Sequence, residues 1–142
     1  MSLQNVVGKL DPKNRENKES LVQLIRDHGP HILEWANSDF MNTKDVILAA
    51  VKQNGEMIHK ASAALKNDRD VILAAVKSSG TLLNELDRTW HHDPEIALAA
   101  LENSPQEFIE NDEILTAAAR IDSKAVEKII KQIHPEKKRR SA

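Results

Sequence analysis

A chain of 142 residues with 40% apolar and 30% charged residues is long enough to bury a core and has the balance of a soluble globular protein. Aromatics make up only 3% and Cys is absent, so the core must come from Val, Ile, Leu and Ala, and disulfides, thiolate metal sites and a cysteine nucleophile are excluded. The net charge of −2 is uneven: Lys137, Lys138, Arg139, Arg140 and Glu136 give residues 135–142 a charge of +3, which leaves −5 on the other 134, an acidic body unlike a general nucleic-acid binder.

Residues 1–17 are polar, contain Gly8 and Pro12, and show no sustained period, so a flexible N-terminal arm is expected. Val6, Val7 and Leu10 could dock it locally. The start lacks the basic and apolar regions of a signal peptide, and no apolar run approaches the ~20 residues of a membrane span. A cytoplasmic protein, or one delivered into a host cell if it is an effector, is expected.

Glu19 to His28 reads as a first helix with Leu21, Val22, Leu24 and Ile25 on its apolar side and Gly29 placed to end it. From here the chain repeats. Asp45-Val-Ile-Leu-Ala-Ala-Val-Lys52 returns as Asp70-Val-Ile-Leu-Ala-Ala-Val-Lys77 and as Glu95-Ile-Ala-Leu-Ala-Ala-Leu-Glu102, at a step of 25 residues. A fainter copy, Glu113 to Arg120, follows after a step of 18. Between these segments a second apolar pattern holds the same register: Ile32, Leu33, Ala36, Phe40, then Met57, Ile58, Ala61, Leu65, then Leu82, Leu83, Leu86, Trp90. The unit is therefore a helix pair, an A helix of about three turns and a B helix of two to three.

The punctuation agrees with this reading. Thr43, Asp68, Asp93 and Asn111 stand where N-caps belong, and Asp45, Asp70, Glu95 and Glu113 place negative charge at the positive end of the helix dipole. Gly55 and Gly80 are expected to end A helices. The A segments are apolar almost all round, so they must be covered on several sides, and the Ala pairs 49/50, 74/75, 99/100 and 117/118 allow close helix approach. The third unit has a short B helix, Pro105 to Glu110. A last helix capped by Asp122 or Ser123 carries Val126, Ile129, Ile130 and Ile133 on one face and closes the stack. The expected fold class is all-α: tandem helical-hairpin repeats forming a short α-solenoid of about ten helices over residues 18–134, with a basic disordered tail at 135–142.

Val46-Ile-Leu-Ala-Ala-Val-Lys-Gln-Asn-Gly55, with Ala61-Ser62 and Leu65-Lys66-Asn67-Asp68, resembles the LAAVKxNG tandem repeat, closely over residues 43–80 and less so to 101. That repeat is a domain of unknown function found in proteins of intracellular bacterial pathogens, some of them secreted effectors, and in large viruses. The resemblance implies an all-helical repeat fold and work inside a host cell. It brings no catalytic residues.

Candidate chemistry is sparse. His91, His92 and Asp93 form a possible metal cluster, but adjacent residues at a helix end point in different directions, and the two His replace Lys66 and Asn67 of the preceding unit. No phosphate loop or nucleophile elbow is visible, so no cofactor, metal or catalytic residue is expected. Trp90 shares its column with Phe40 and Leu65 and reads as core. Trp35 shares its column with Lys60 and Glu85, which makes it either covered by the arm or exposed to a partner. Lys52 and Lys77, with Glu102, form a ridge near the ends of successive A helices. Trp35, Lys60, Glu85, Lys52 and Lys77 are the partner-binding candidates. The expected function is a non-enzymatic interaction module or scaffold for another protein, as a host-directed effector or as part of a larger repeat protein. The rivals are nucleic-acid binding assisted by the basic tail and an enzyme with a carboxylate site assembled across repeats.

Overall fold

A computed structural model describes residues 2–133; the expected basic tail lies outside them. All regular structure among the described residues is helical. The chain divides into two compact units, the first ending at Ser78 and the second beginning at Ser79.

The first unit holds α1 (Leu3–Gly8), α2 (Arg15–His28), α3 (Lys44–Gln53), α4 (Ala63–Lys66) and α5 (Arg69–Ser78), with 3₁₀ segments Pro30–Trp35, Ser38–Asn42 and Gly55–Lys60. The segment expected as an arm thus contains a short helix. Ser2 caps it through Asn5 N–H, and Val7 is fully buried. Helix α2 starts earlier than the apolar pattern suggests, because the Asn14 side chain accepts from Asn17 N–H. It ends where expected: Gly29 adopts φ 99°, a left-handed value that costs other residues a Cβ clash.

In the second unit 3₁₀ segments Gly80–Glu85 and Arg88–His92 lead into α6 (Pro94–Asn103), α7 (Pro105–Phe108) and α8 (Asp112–Ile133). Helix α8 is kinked at Asp122 (φ −153°, ψ 85°), whose side chain restarts the helix by accepting from Ala125 N–H. The short B limb of the third unit is α7.

The A helices are α3, α5 and α6, each of ten residues. Asp68, Asp93 and Asn111 cap α5, α6 and α8 by accepting first-turn N–H bonds. Thr43 precedes α3 but its side chain makes no capping bond. The Ala pairs are mostly interior: Ala50, Ala75, Ala100 and Ala118 are fully buried.

The B limbs correct the expectation of one α-helix each. A six-residue 3₁₀ segment stops at an extended residue, Ala36 (ψ 155°), Ala61 (ψ 157°) or Leu86 (ψ 167°), at the same repeat position. Asn37, Ser62 or Asp87 then caps a second short turn. The apolar positions nevertheless point inward: Ile32, Leu33, Phe40, Met57, Ile58, Ala61, Leu65, Leu82 and Leu83 are buried. Trp90, expected in the core, is half-buried instead.

Gly55 and Gly80 also differ from their expected role. Neither has a positive φ, and both begin 3₁₀ segments rather than ending α-helices. Close approach explains Gly80, where a Cβ would meet the Ala100 carbonyl oxygen at 2.7 Å. The Lys-x-Asn-Gly motif acquires a physical meaning here. Asn54 accepts from Glu56 N–H to start the next turn, and the Gly55 N–H, itself buried, donates to Ser78 Oγ at 3.0 Å.

Candidate groove on the first unit

Helix α2 turns Arg15, Lys18, Glu19, Val22, Gln23 and Arg26 to one side, at spacings of three and four that keep them on one face. Asp45, Leu48, Ala49, Lys52 and Gln53 of α3 face them, and the two sets enclose an open groove of about 710 Å³. Leu48 and Lys52 also line a smaller hollow of about 350 Å³ with Asp70, Leu73, Ala74 and Lys77 of α5. The two hollows share a wall and run across three helices of the unit, α2, α3 and α5.

The groove exists because α3 and α5 are apolar on more sides than their neighbours cover. Leu48, Leu73 and Ala74 are half-buried, whereas Val46, Ile47, Val71 and Ile72 are fully buried. The floor is therefore aliphatic. Gln53 closes one end by donating from Nε2 to the Ile25 carbonyl at 2.8 Å, which ties α3 to the last turn of α2.

The rim is charged. Arg15 Nε meets Glu19 at 3.2 Å. Asp70, which lines the smaller hollow, is held from outside it by Lys44 Nζ at 2.8 Å, and Lys44 also reaches Asp68 at 3.1 Å. The hydrogen bond to Asp70, then that to Asp68, raises the Lys44 pKa. Burial works against ionisation of Asp68, but bonds from Lys44 and from the N–H groups of Val71 and Asp70 outweigh it and lower its pKa. Asp87 and Glu113 in the second unit are also lowered, by the Thr89 N–H and by Arg88 respectively. Such shifts stabilise the carboxylate form, the opposite of what a general acid working near neutral pH needs.

Of the sequence candidates, Lys52 and Lys77 are brought together on this surface, Lys52 lining both hollows. Trp35 and Lys60 lie elsewhere on the first unit, each the last residue of its 3₁₀ segment, and Glu85 holds the same position in the second unit. Lys60 and Glu85 are exposed; Trp35 is half-buried, with His31 edge-on at 5.8 Å between ring centroids. The arm reaches this segment, since Gly8 Cα lies where an added Cβ would stand 3.5 Å from the Trp35 carbonyl oxygen. The half-buried Leu48 and Leu73, and the basic residues Lys18 and Arg26, are the site features that sequence reasoning missed. The signal for the leucines was present, an apolar residue repeated at 48, 73 and 98.

His91 and His92 serve different partners. His91 Nε2–H donates to the Leu83 carbonyl at 3.0 Å, and His92 Nε2 lies 2.6 Å from Glu113. Glu113 also receives Arg88 at 3.1 Å.

Tandem short helices with their own recurring caps define a helical-repeat protein. The family described as Domain of unknown function (DUF4116) matches residues 17–66, 43–90 and 68–110, overlapping copies that together span more than half of the chain, and the chain belongs to that family. No curated protein and no solved structure matches it. No helix among the described residues is long and apolar enough to cross a membrane.

Proposed function

We propose that the chain is a non-enzymatic interaction module that holds a protein segment in the groove between α2 and α3. The observation that carries this reading is the aliphatic pair Val22 and Leu48, half-buried between two charged rims. Repeat arrays commonly bind through a surface shared by successive units, and here α2, α3 and α5 each contribute a wall. Work inside a host cell, or as one part of a longer repeat protein, is the setting in which we place this module, on the strength of its resemblance to the LAAVKxNG repeats.

A photo-crosslinking residue in place of Leu48 tests the reading. In lysates of bacterial and eukaryotic cells it should yield a discrete protein adduct that the same residue at Thr116 of α8 does not give. Identical adducts from both positions would remove the groove from consideration.

Trp35 is proposed as a separate contact. Trp35→Ala should lower partner recovery while leaving crosslinking through Leu48 intact; unchanged recovery would eliminate it.

A further inference from the structure

We infer that the occupant of the groove is an acidic amphipathic helix, its apolar side on Val22 and Leu48 and its carboxylates toward Lys18, Arg26 and Lys52. This rests on the groove being a protein-binding surface and goes on to assign the partner's chemistry.

The charge distribution is the first support. Six charged side chains line the groove, four basic and two acidic. Glu19 is engaged by Arg15 at 3.2 Å. That pair set aside, Lys18, Arg26 and Lys52 face Asp45 alone. This local excess of positive charge sits on a chain whose first 134 residues carry −5, so it does not follow from general composition. A groove with an excess of one sign favours ligands of the other.

Geometry is the second. Lys18 and Arg26 are eight residues apart on one helix, a separation of about 12 Å along its axis. Acidic residues two turns apart on a partner helix span nearly the same distance. Between the two cations lies Val22, and across from it Leu48, so the basic groups flank an apolar seat. That is the arrangement that an amphipathic helix fills with an apolar stripe bordered by charge.

The floor favours a peptide over nucleic acid. Single strands are held by aromatic platforms that stack the bases, and none of the groove's lining residues is aromatic.

Fluorescence anisotropy on the full chain tests the assignment with three labelled probes. The first is a helical peptide of about 18 residues with Leu on one face and Glu flanking it. The second is the same peptide with Lys for Glu, and the third is a single-stranded oligonucleotide. At low salt the Glu peptide should bind at least about tenfold tighter than either of the others. The double change Lys18→Glu with Arg26→Glu should abolish that preference while circular dichroism stays unchanged. Equal affinities for the two peptides, a preference that survives the charge reversal, tighter binding of the oligonucleotide, or no binding of the Glu peptide would each overturn the inference. Leu48→Asp separates the two levels. If it weakens both peptides and they bind equally, the groove stands and its acidic partner falls; if it weakens neither, the groove itself falls.

Discussion

The Gly80 N–H donates to Asn103 Oδ1 at 2.6 Å, so the first residue of one B limb is held by the end of the A helix 23 residues later. Gly55 and Ser78 repeat the relationship at the same separation in the first unit. Gly80 is buried, so loss of Asn103 removes the side-chain acceptor that its N–H uses away from solvent. Asn103→Ala should therefore destabilise the chain by about 1–3 kcal/mol, and Ser78→Ala should act in the same direction through Gly55. Chemical denaturation with an unchanged midpoint for Asn103→Ala would show that this bond contributes nothing.

Gly80→Ala should be costly for a steric reason. The added Cβ meets Ala100 O at 2.7 Å and Ser104 Oγ at 2.9 Å, and the nearer of these is backbone that cannot swing away. Overpacking of this kind costs about 1–3 kcal/mol. A melting temperature equal to that of the parent would contradict the close approach.

Ala75 on α5 is fully buried, and the Ala pairs let these helices pack closely. Ala75→Leu should cost about 1–3 kcal/mol by forcing its neighbours apart. The reverse outcome, a stabilised protein, would indicate an unfilled space beside Ala75.

Acid should weaken the fold through Glu113. The Arg88 hydrogen bond, with the charges of Arg88, His92 and His91, lowers its pKa in the folded chain below the ordinary carboxylate value. The unfolded chain therefore binds more protons between the two values. The stabilisation is fully present above the ordinary value and is lost as pH falls through the depressed one. Arg88→Ala should flatten the acid limb of a stability-against-pH curve, and a limb of unchanged slope would detach Arg88 from it.

Much of the fold was legible in sequence because the 25-residue register ties together several independent signals. Asp68, Asp93 and Asn111 cap as their chemistry requires, and the A helices fall where the repeated Val-Ile-Leu-Ala-Ala stands. The B limbs were less transparent. Apolar residues at i, i+1, i+4 and i+8 suit an α-helix, but they serve equally well two short turns joined by an extended Ala61. Only the backbone distinguishes the two. The glycines misled for a related reason: glycine marks a helix end and a close backbone approach alike, and Gly80 is the second case.

The groove was only half legible. Lys52 and Lys77 stood out as a ridge, but an A helix apolar on nearly every side does not declare which side its neighbours leave open. Lys18 was missed as a lining residue because the helix was read from Glu19, whereas Asn14 caps it a turn earlier. That extra turn is what brings Arg15 and Lys18 to the rim.

The most direct measurement is a nitrogen-15 NMR titration of the full chain with the Glu-flanked peptide. Amide shifts concentrated along α2 and α3, centred on Val22, Leu48 and Lys52, are the predicted result. Shifts scattered over both units, or confined to α8, would contradict a protein-binding groove on the first.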